Sequence, residues 1–197
     1  MNTLFLIYVI LFYSIAIVLR TYILYKRTGI NAMKIKRDHT PQGFNANVFS
    51  IVTLSIPAIT FLYLWGGSTY DYLSPISYLH GNFQLQVAGL VISVISLIWI
   101  FAAQMQMQDS WRIGIEESEK TALVGKGSFK ISRNPIFLGV LLAAIGFFLF
   151  IPSALSLCVV VVSYVSISFQ IRLEEQYLEN THGQKYLDYK NEVRRWI

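Results

Sequence analysis

Four long apolar stretches, at residues 3–25, 48–65, 85–103 and 136–171, limit what this chain can fold into. About 20 consecutive apolar residues can cross the hydrocarbon core of a bilayer as a helix. Lipid offers no hydrogen bonds to a free backbone, so helices and closed barrels are the only structures that span it. Only 14% of the 197 residues are charged, against roughly a quarter in a soluble domain. The reading is an all-α integral membrane protein that forms a single membrane domain, 1–197. The fourth stretch is interrupted at Pro152-Ser153. Its halves are short for full spans and suit a tight helical hairpin. About five transmembrane helices result: three N-terminal spans within 1–103, then the hairpin within 104–197. Amphipathic C-terminal helices follow on the cytoplasmic side.

Charge sets the orientation. Fifteen of the 16 basic residues lie in 26–37, in 112–133 or after 171, and Arg20 is the exception. The positive-inside rule places those segments in the cytoplasm and the N-terminus outside. Arg20 is expected to snorkel to the interface from its helix end. The first stretch lacks a basic n-region and a small-residue cleavage site, so it reads as a span and not a removable signal. The net charge of +5 flanks apolar spans, which points to lipid head groups and not to nucleic acid. The lone Cys158 excludes an internal disulfide. Plasma membrane and endoplasmic reticulum both remain open.

Several kinds of chemistry are excluded. Gly125-Lys126 lacks the upstream glycine and the strand of a phosphate loop. His39, His80 and His182 fall in three separate segments, so no metal site is expected. Two segments carry what remains. The first runs from Leu123 through Gly127, Phe129, Arg133, Asn134, Pro135, Phe137 and Gly139. Asn134 suits a helix N-cap and Pro135 the first helical position, and on spacing alone Arg133 reads equally well as an interfacial anchor. The second is Gln170-Ile171-Arg172-Leu173-Glu174-Glu175, continuing through Gly183 to Tyr186, Tyr189 and Trp196. Adjacent carboxylates at a membrane helix mouth are costly unless paired or solvated. Gln170 and Glu174, four apart, share a helix face. A solvated interfacial helix with an aromatic belt would also account for this segment. The hairpin returns the chain to its starting side, bringing Arg133 and Glu174 to one membrane face. Aromatic rings and carboxylates gathered there favour a sulfonium or ammonium ligand.

Leu-Val, Gly-x-Phe, Arg-Asn-Pro-x-Phe-x-Gly, the apolar hairpin, Glu-Glu-x-x-Leu and Gly-x-x-Tyr-x-x-Tyr follow in order between residues 111 and 196. This order and spacing resembles the isoprenylcysteine carboxyl methyltransferase and phospholipid methyltransferase superfamily. The resemblance implies a membrane-embedded enzyme that uses S-adenosyl-L-methionine and releases S-adenosyl-L-homocysteine. Its lipophilic or lipidated acceptor, a carboxylate or an amine, enters from the bilayer. The resemblance assigns Thr121, Ala122, Leu123 and Val124 to backbone wrapping of the cofactor. It also assigns Phe129, Asn134, Pro135, Ile136, Phe137 and Glu174 to cofactor binding. Arg133, Glu174 and Glu175 are the candidate catalytic groups. Arg133 would orient an anionic group, and Glu175 would act as base toward an amine. Phe129 and Phe137 stand where the family commonly has tyrosine. Gln170 stands where prenylcysteine enzymes carry the arginine that meets a substrate carboxylate, with Arg112 and Arg172 as substitutes. Gln170 and Arg112 are the candidate substrate-binding residues. Membrane sterol reductases, which use NADPH, look similar in the hairpin but carry Asn-Tyr followed by Gly-Glu, whereas Phe137 here precedes Leu138-Gly139-Val140. A non-enzymatic membrane scaffold is the remaining alternative.

Overall fold

The computed structural model describes residues 1–29, 38–74, 79, 81–111 and 122–197, and among these it is all-helical with no strand. The first stretch is one continuous helix: α1 (Asn2–Tyr13), a π-helical turn (Ser14–Leu19) and α2 (Arg20–Thr28). α3 (Pro41–Trp65) opens on Thr40, whose hydroxyl accepts from the Gly43 amide at 3.1 Å. Pro41-Gln42-Gly43 therefore forms the first helical turn. Proline is tolerated there because its missing N–H would have no intrahelical partner. A short α4 (Ser68–Leu73) follows, then α5 (Phe83–Met107), capped by Asn82 and ending in a 3-10 turn, Gln108–Ser110.

α6 (Pro135–Phe150) and α7 (Ala154–His182) lie on either side of the Pro152-Ser153 break and pack on each other. Ser153 and Ser156 cap α7 reciprocally, as in a capping box. α7 does not stop with its apolar half at residue 171. It runs 29 residues to His182, because 172–182 contains neither proline nor glycine. Leu173, Glu174, Glu175, Gln176 and Leu178 are all good helix formers. α8 (Gln184–Glu192) follows Gly183.

Among the described residues, four helices are long and apolar enough to cross a membrane: Asn2–Thr28, Pro41–Trp65, Phe83–Ser110 and Ala154–His182. α6, at 16 residues, is about 24 Å long at 1.5 Å per residue. That is shorter than the roughly 30 Å hydrocarbon core.

α5 packs most extensively on α6, and α3 and α6 both pack on α7. Glycine allows the α5–α6 approach. A Cβ on Gly89 would sit 2.6 Å from the Gly146 carbonyl oxygen and 2.7 Å from the Phe150 nitrogen. Small residues that let backbones touch are the usual adhesive between helices in lipid. Gly89→Val is therefore expected to drive the pair apart. The obstruction is backbone and not a flexible side-chain tip, so the cost should reach about 3 kcal/mol, the upper end for overpacking. Size-exclusion profiles and melting of the purified variant check this, and an unchanged melting temperature would contradict it.

Arg20 does not snorkel. It is 1% exposed, its Nη2 donates to the carbonyls of Gln104 (3.0 Å) and Gln108 (2.5 Å), and its guanidinium lies 5.1 Å from the centre of the Trp111 ring. The carbonyls that end α5 thus hold a cation from α2, in keeping with the negative end of a helix.

Candidate functional site

The site lies where α5 ends, α6 begins and α7 leaves its apolar half. Residues 122–126 are irregular, and Gly127–Lys130 form a 3-10 turn. Gly127 has φ of +61°, and a Cβ there would strike the Gln106 side chain. Glycine alone fits this close approach. Next to it, Gln106 Oε1 accepts from both the backbone nitrogen and the hydroxyl of Ser128, at 2.8 and 2.7 Å. This anchors the loop to α5 and leaves the Phe129 ring buried.

Asn134 occupies the N-cap position of α6, but its side chain makes no cap bond. Instead its Nδ2 donates to the Arg195 carbonyl at 3.2 Å, which also accepts from the Ser132 hydroxyl. The Arg133 amide donates to the Arg194 carbonyl at 3.0 Å, and Arg133 Nη1 to the carbonyls of Lys190 and Val193. Residues 190–195 are thereby strapped across the start of α6.

A buried charge cluster completes the strap. Glu175 Oε1 accepts from Arg133 Nη2 at 3.0 Å and Arg195 Nε at 3.1 Å, and its Oε2 accepts from Arg195 Nη2 at 2.7 Å. The Arg133 and Glu175 side chains are each only 8% exposed. The bond to Glu175 raises the already high Arg195 pKa further, so the pair stays ionised. Arg133 Nε is buried and has no hydrogen-bond partner. On α8, Tyr189 donates to the Phe129 carbonyl at 2.6 Å, and burial pushes its phenol up to about 12. Burial also raises the Tyr186 phenol, so both rings are neutral at physiological pH.

Two cavities meet here. The first, about 110 Å³, is lined among the described residues by Ala122, Leu123, Val124, Phe129, Arg133, Asn134, Pro135, Ile136, Phe137, Glu174 and Glu175. Met107, Ser110, Leu178, Tyr186 and Tyr189 also line it. The second, about 490 Å³, lies among α1, α3, α5, α6 and α7 and has a mostly apolar lining, including Tyr8, Phe12, Phe49, Ile100, Val140 and Phe147. Met107, Ile136, Phe137 and Glu174 belong to both walls. A hydrogen-bonded chain runs along the second cavity toward this junction. Ser166 Oγ donates to Asn45 Oδ1 (2.7 Å), Asn45 Nδ2 to Gln170 Oε1 (3.0 Å), and Gln170 Nε2 to Glu174 Oε1 (3.1 Å).

A cavity that holds the Arg133–Glu175 pair thus meets a larger, mostly apolar one within the helical bundle. The phospholipid methyltransferase family model matches residues 83–185, more than half the chain, and the chain belongs to that family. It is a membrane protein of a methyltransferase family. Among curated proteins, none matches the chain.

Of the residues singled out in the sequence, those from Ala122 to Val124, Phe129, Arg133 to Phe137, Glu174 and Glu175 line the first cavity, and Gln170 lines the second. Thr121 and Arg112 lie outside the described residues. Arg172 is exposed and donates to the Ser168 carbonyl of its own helix. Arg133 pairs with Glu175, whereas the sequence brought it only to the same membrane face as Glu174. Tyr186 and Tyr189, for which an aromatic belt was one of two readings, line the first cavity. Their signal was the Gly-x-x-Tyr-x-x-Tyr spacing after α7. Met107, Asn45 and Gln104 had no sequence signal, because each depends on how separate helices pack.

Proposed function

We propose that the protein transfers a methyl group from S-adenosyl-L-methionine to a lipophilic acceptor where the two cavities meet. The single observation that carries this reading is the shared wall of Met107, Ile136, Phe137 and Glu174. It puts the compartment that also holds Arg133 and Glu175 in contact with a larger apolar one at a single carboxylate, Glu174. Together they fall within the roughly 300–1,000 Å³ of small-molecule sites. The first cavity suits the sulfonium cofactor. Aromatic rings and a carboxylate favour the cation, and the unpartnered Arg133 Nε–H suits the cofactor's own carboxylate.

Bound there, the cofactor supplies an electrophilic methyl group. Glu174 holds the cationic side of the cofactor and faces the acceptor, while Phe129, Phe137 and Tyr186 exclude water that would otherwise solvate the nucleophile. Such positioning can be worth 7–11 kcal/mol in ideal cases. Arg133 and Glu175 fix the start of α6 against α7. Both Glu175 oxygens are engaged by arginines, so Glu174, on the shared wall, takes over as the candidate base for an amine. Backbone groups of Ala122, Leu123 and Val124 wrap the cofactor. We place five crossings in the membrane, with the N-terminus outside and the site on the cytoplasmic face, from the one-sided distribution of basic residues.

Purified protein is expected to be stabilised by S-adenosyl-L-methionine and S-adenosyl-L-homocysteine in a melting assay, and not by NADPH. At a ligand concentration 100 times Kd the gain is about 2.7 kcal/mol. Stabilisation by NADPH alone would favour the reductase reading and overturn this one.

A further inference from the structure

The end of α5 is held in a conformation that glutamine rarely takes. Gln108 has φ of +49° and ψ of −121°. That is the geometry of the first central residue of a type II′ turn, a place that glycine dominates. Gly67 and Gly183 of this chain adopt nearly the same angles, +50° and −127°, and +55° and −130°. Among the described residues, Gln108 is the one non-glycine with positive φ. A side chain in this region crowds its own backbone, so surrounding structure must hold it there. Such strained positions cluster at functional sites.

One face of α2 grips this turn. Arg20, Leu24 and Arg27 recur at the i, i+4 and i+7 spacing of a single helix stripe. Arg20 Nη2 donates to the Gln108 carbonyl at 2.5 Å and to the Gln104 carbonyl at 3.0 Å. The Trp111 ring lies 5.1 Å from the same guanidinium. Leu24 is fully buried and packs with Trp111, Met107 and Ile136. Arg27 Nη2 lies 3.5 Å from Asp109 Oδ1, but that pair is solvent-exposed and contributes little. Arg20 therefore carries the clamp, and one carbonyl it grips belongs to the strained residue itself. What the turn sets in place is the site. Met107, just before Gln108, belongs to the wall the two cavities share, while Ser110 lines the first cavity and Trp111 the second. A change of φ at Gln108 redirects the chain after it and moves Ser110 and Trp111 from those walls. Arg20 lies outside residues 83–185, the part of the chain that the family matches, so the first span contributes to a site whose motifs all lie beyond it.

We propose that Arg20 is a positioning residue of the methyl-transfer site, holding the strained turn at Gln108 so that Met107, Ser110 and Trp111 stand where the two cavities meet. The choice of ligand rests on the methyl-transfer reading, the clamp on geometry alone. Freed from Arg20, Gln108 relaxes, and only a fraction of the molecules present the formed cavities. Apparent affinity for the cofactor falls by that fraction. A glycine at 108 takes the same angles without crowding, so it removes the need for the clamp.

The test is a two-site cycle on the full chain in nanodiscs: wild type, Arg20→Met, Gln108→Gly and the double variant. Calorimetric titration with S-adenosyl-L-homocysteine reads the site, and melting reads the fold. Arg20→Met should bind the ligand roughly 5- to 150-fold more weakly, the factor that backbone strain of this kind corresponds to. Gln108→Gly should restore most of that loss in the double variant. A purely structural Arg20 would not be rescued by a glycine 88 positions away, because glycine returns neither the charge nor the contact with Trp111. Unchanged affinity in Arg20→Met overturns the proposal, and so does a loss that Gln108→Gly leaves in place. If Arg20→Met does not fold, Arg20→Lys replaces it. Its compact ammonium lacks the fork and the planar face of guanidinium, so a smaller loss with the same rescue is expected. Melting needs no ligand. Gln108→Gly should raise the melting temperature of the wild type by about 2–4 °C, and that of the Arg20 variant by less, because there the turn has already relaxed. Equal gains in the two backgrounds, or no gain in the wild type, overturn the clamp. A wild type that binds neither S-adenosyl-L-methionine nor S-adenosyl-L-homocysteine removes the methyltransferase reading, and the melting cycle still decides the clamp.

Discussion

Glu175→Ala is expected to lower the melting temperature of the purified protein by roughly 10 °C, whereas Arg195→Ala lowers it by only a few degrees. The contrast follows from where the charges lie. Glu175 and Arg133 are each 8% exposed, while the Arg195 side chain is 40% exposed. Removing Glu175 leaves the Arg133 guanidinium buried without a counter-charge. Breaking a buried pair from one side costs about 3–5 kcal/mol, most of it the penalty of the stranded ion. Removing Arg195 leaves Glu175 still paired with Arg133, and water can reach the vacated side. An exposed partner of this kind contributes about 1 kcal/mol or less.

The same substitution should loosen the strap. Arg133 holds the carbonyls of Lys190 and Val193 only while its own position is fixed by Glu175. Trypsin should therefore cut after Lys190 and Arg194 faster in Glu175→Ala than in the wild type. Equal melting of the Glu175→Ala and Arg195→Ala proteins would refute this account of the cluster.

How far the sequence could lead is clearest at α7. Its apolar half was legible because a bilayer tolerates few alternatives to a long apolar helix. The start of α6 at Pro135 was legible from Asn134-Pro135, although Asn134 spends its side chain on the Arg195 carbonyl and not on the cap. The partner of Arg133 was not legible. Consecutive helical residues point about 100° apart, so Glu174 and Glu175 face different neighbours. Only the rotation of α7, set by its packing on α3 and α6, decides which one meets Arg133. Glu175 faces the arginines, while Gln170 and Glu174, four apart, turn together toward the cavities. Gln104 was missed for a related reason. The third span appeared to end at Ala103, where hydropathy falls, but the helix continues to Met107. Polar residues that continue a spanning helix look like loop until their neighbours are known.

Glu174→Gln should separate chemistry from stability. The exchange keeps the shape of the side chain, and its amide oxygen can still accept from Gln170 Nε2, which donates to Glu174 Oε1 at 3.1 Å. Melting should therefore shift by no more than a couple of degrees, in contrast with the Glu175 variant one residue away. Affinity for S-adenosyl-L-methionine should fall by roughly 10- to 100-fold, because a charge-assisted interaction worth about 1.5–3 kcal/mol becomes a neutral one. Turnover should fall further than affinity if Glu174 also faces the acceptor, because that contribution is felt only as the nucleophile approaches. Titration calorimetry with S-adenosyl-L-methionine and formation of S-adenosyl-L-homocysteine read the two effects independently. Unchanged affinity and turnover would remove Glu174 from the site. Lost affinity with unchanged turnover at saturation would confine it to the cofactor cavity, on one side of the wall the two compartments share.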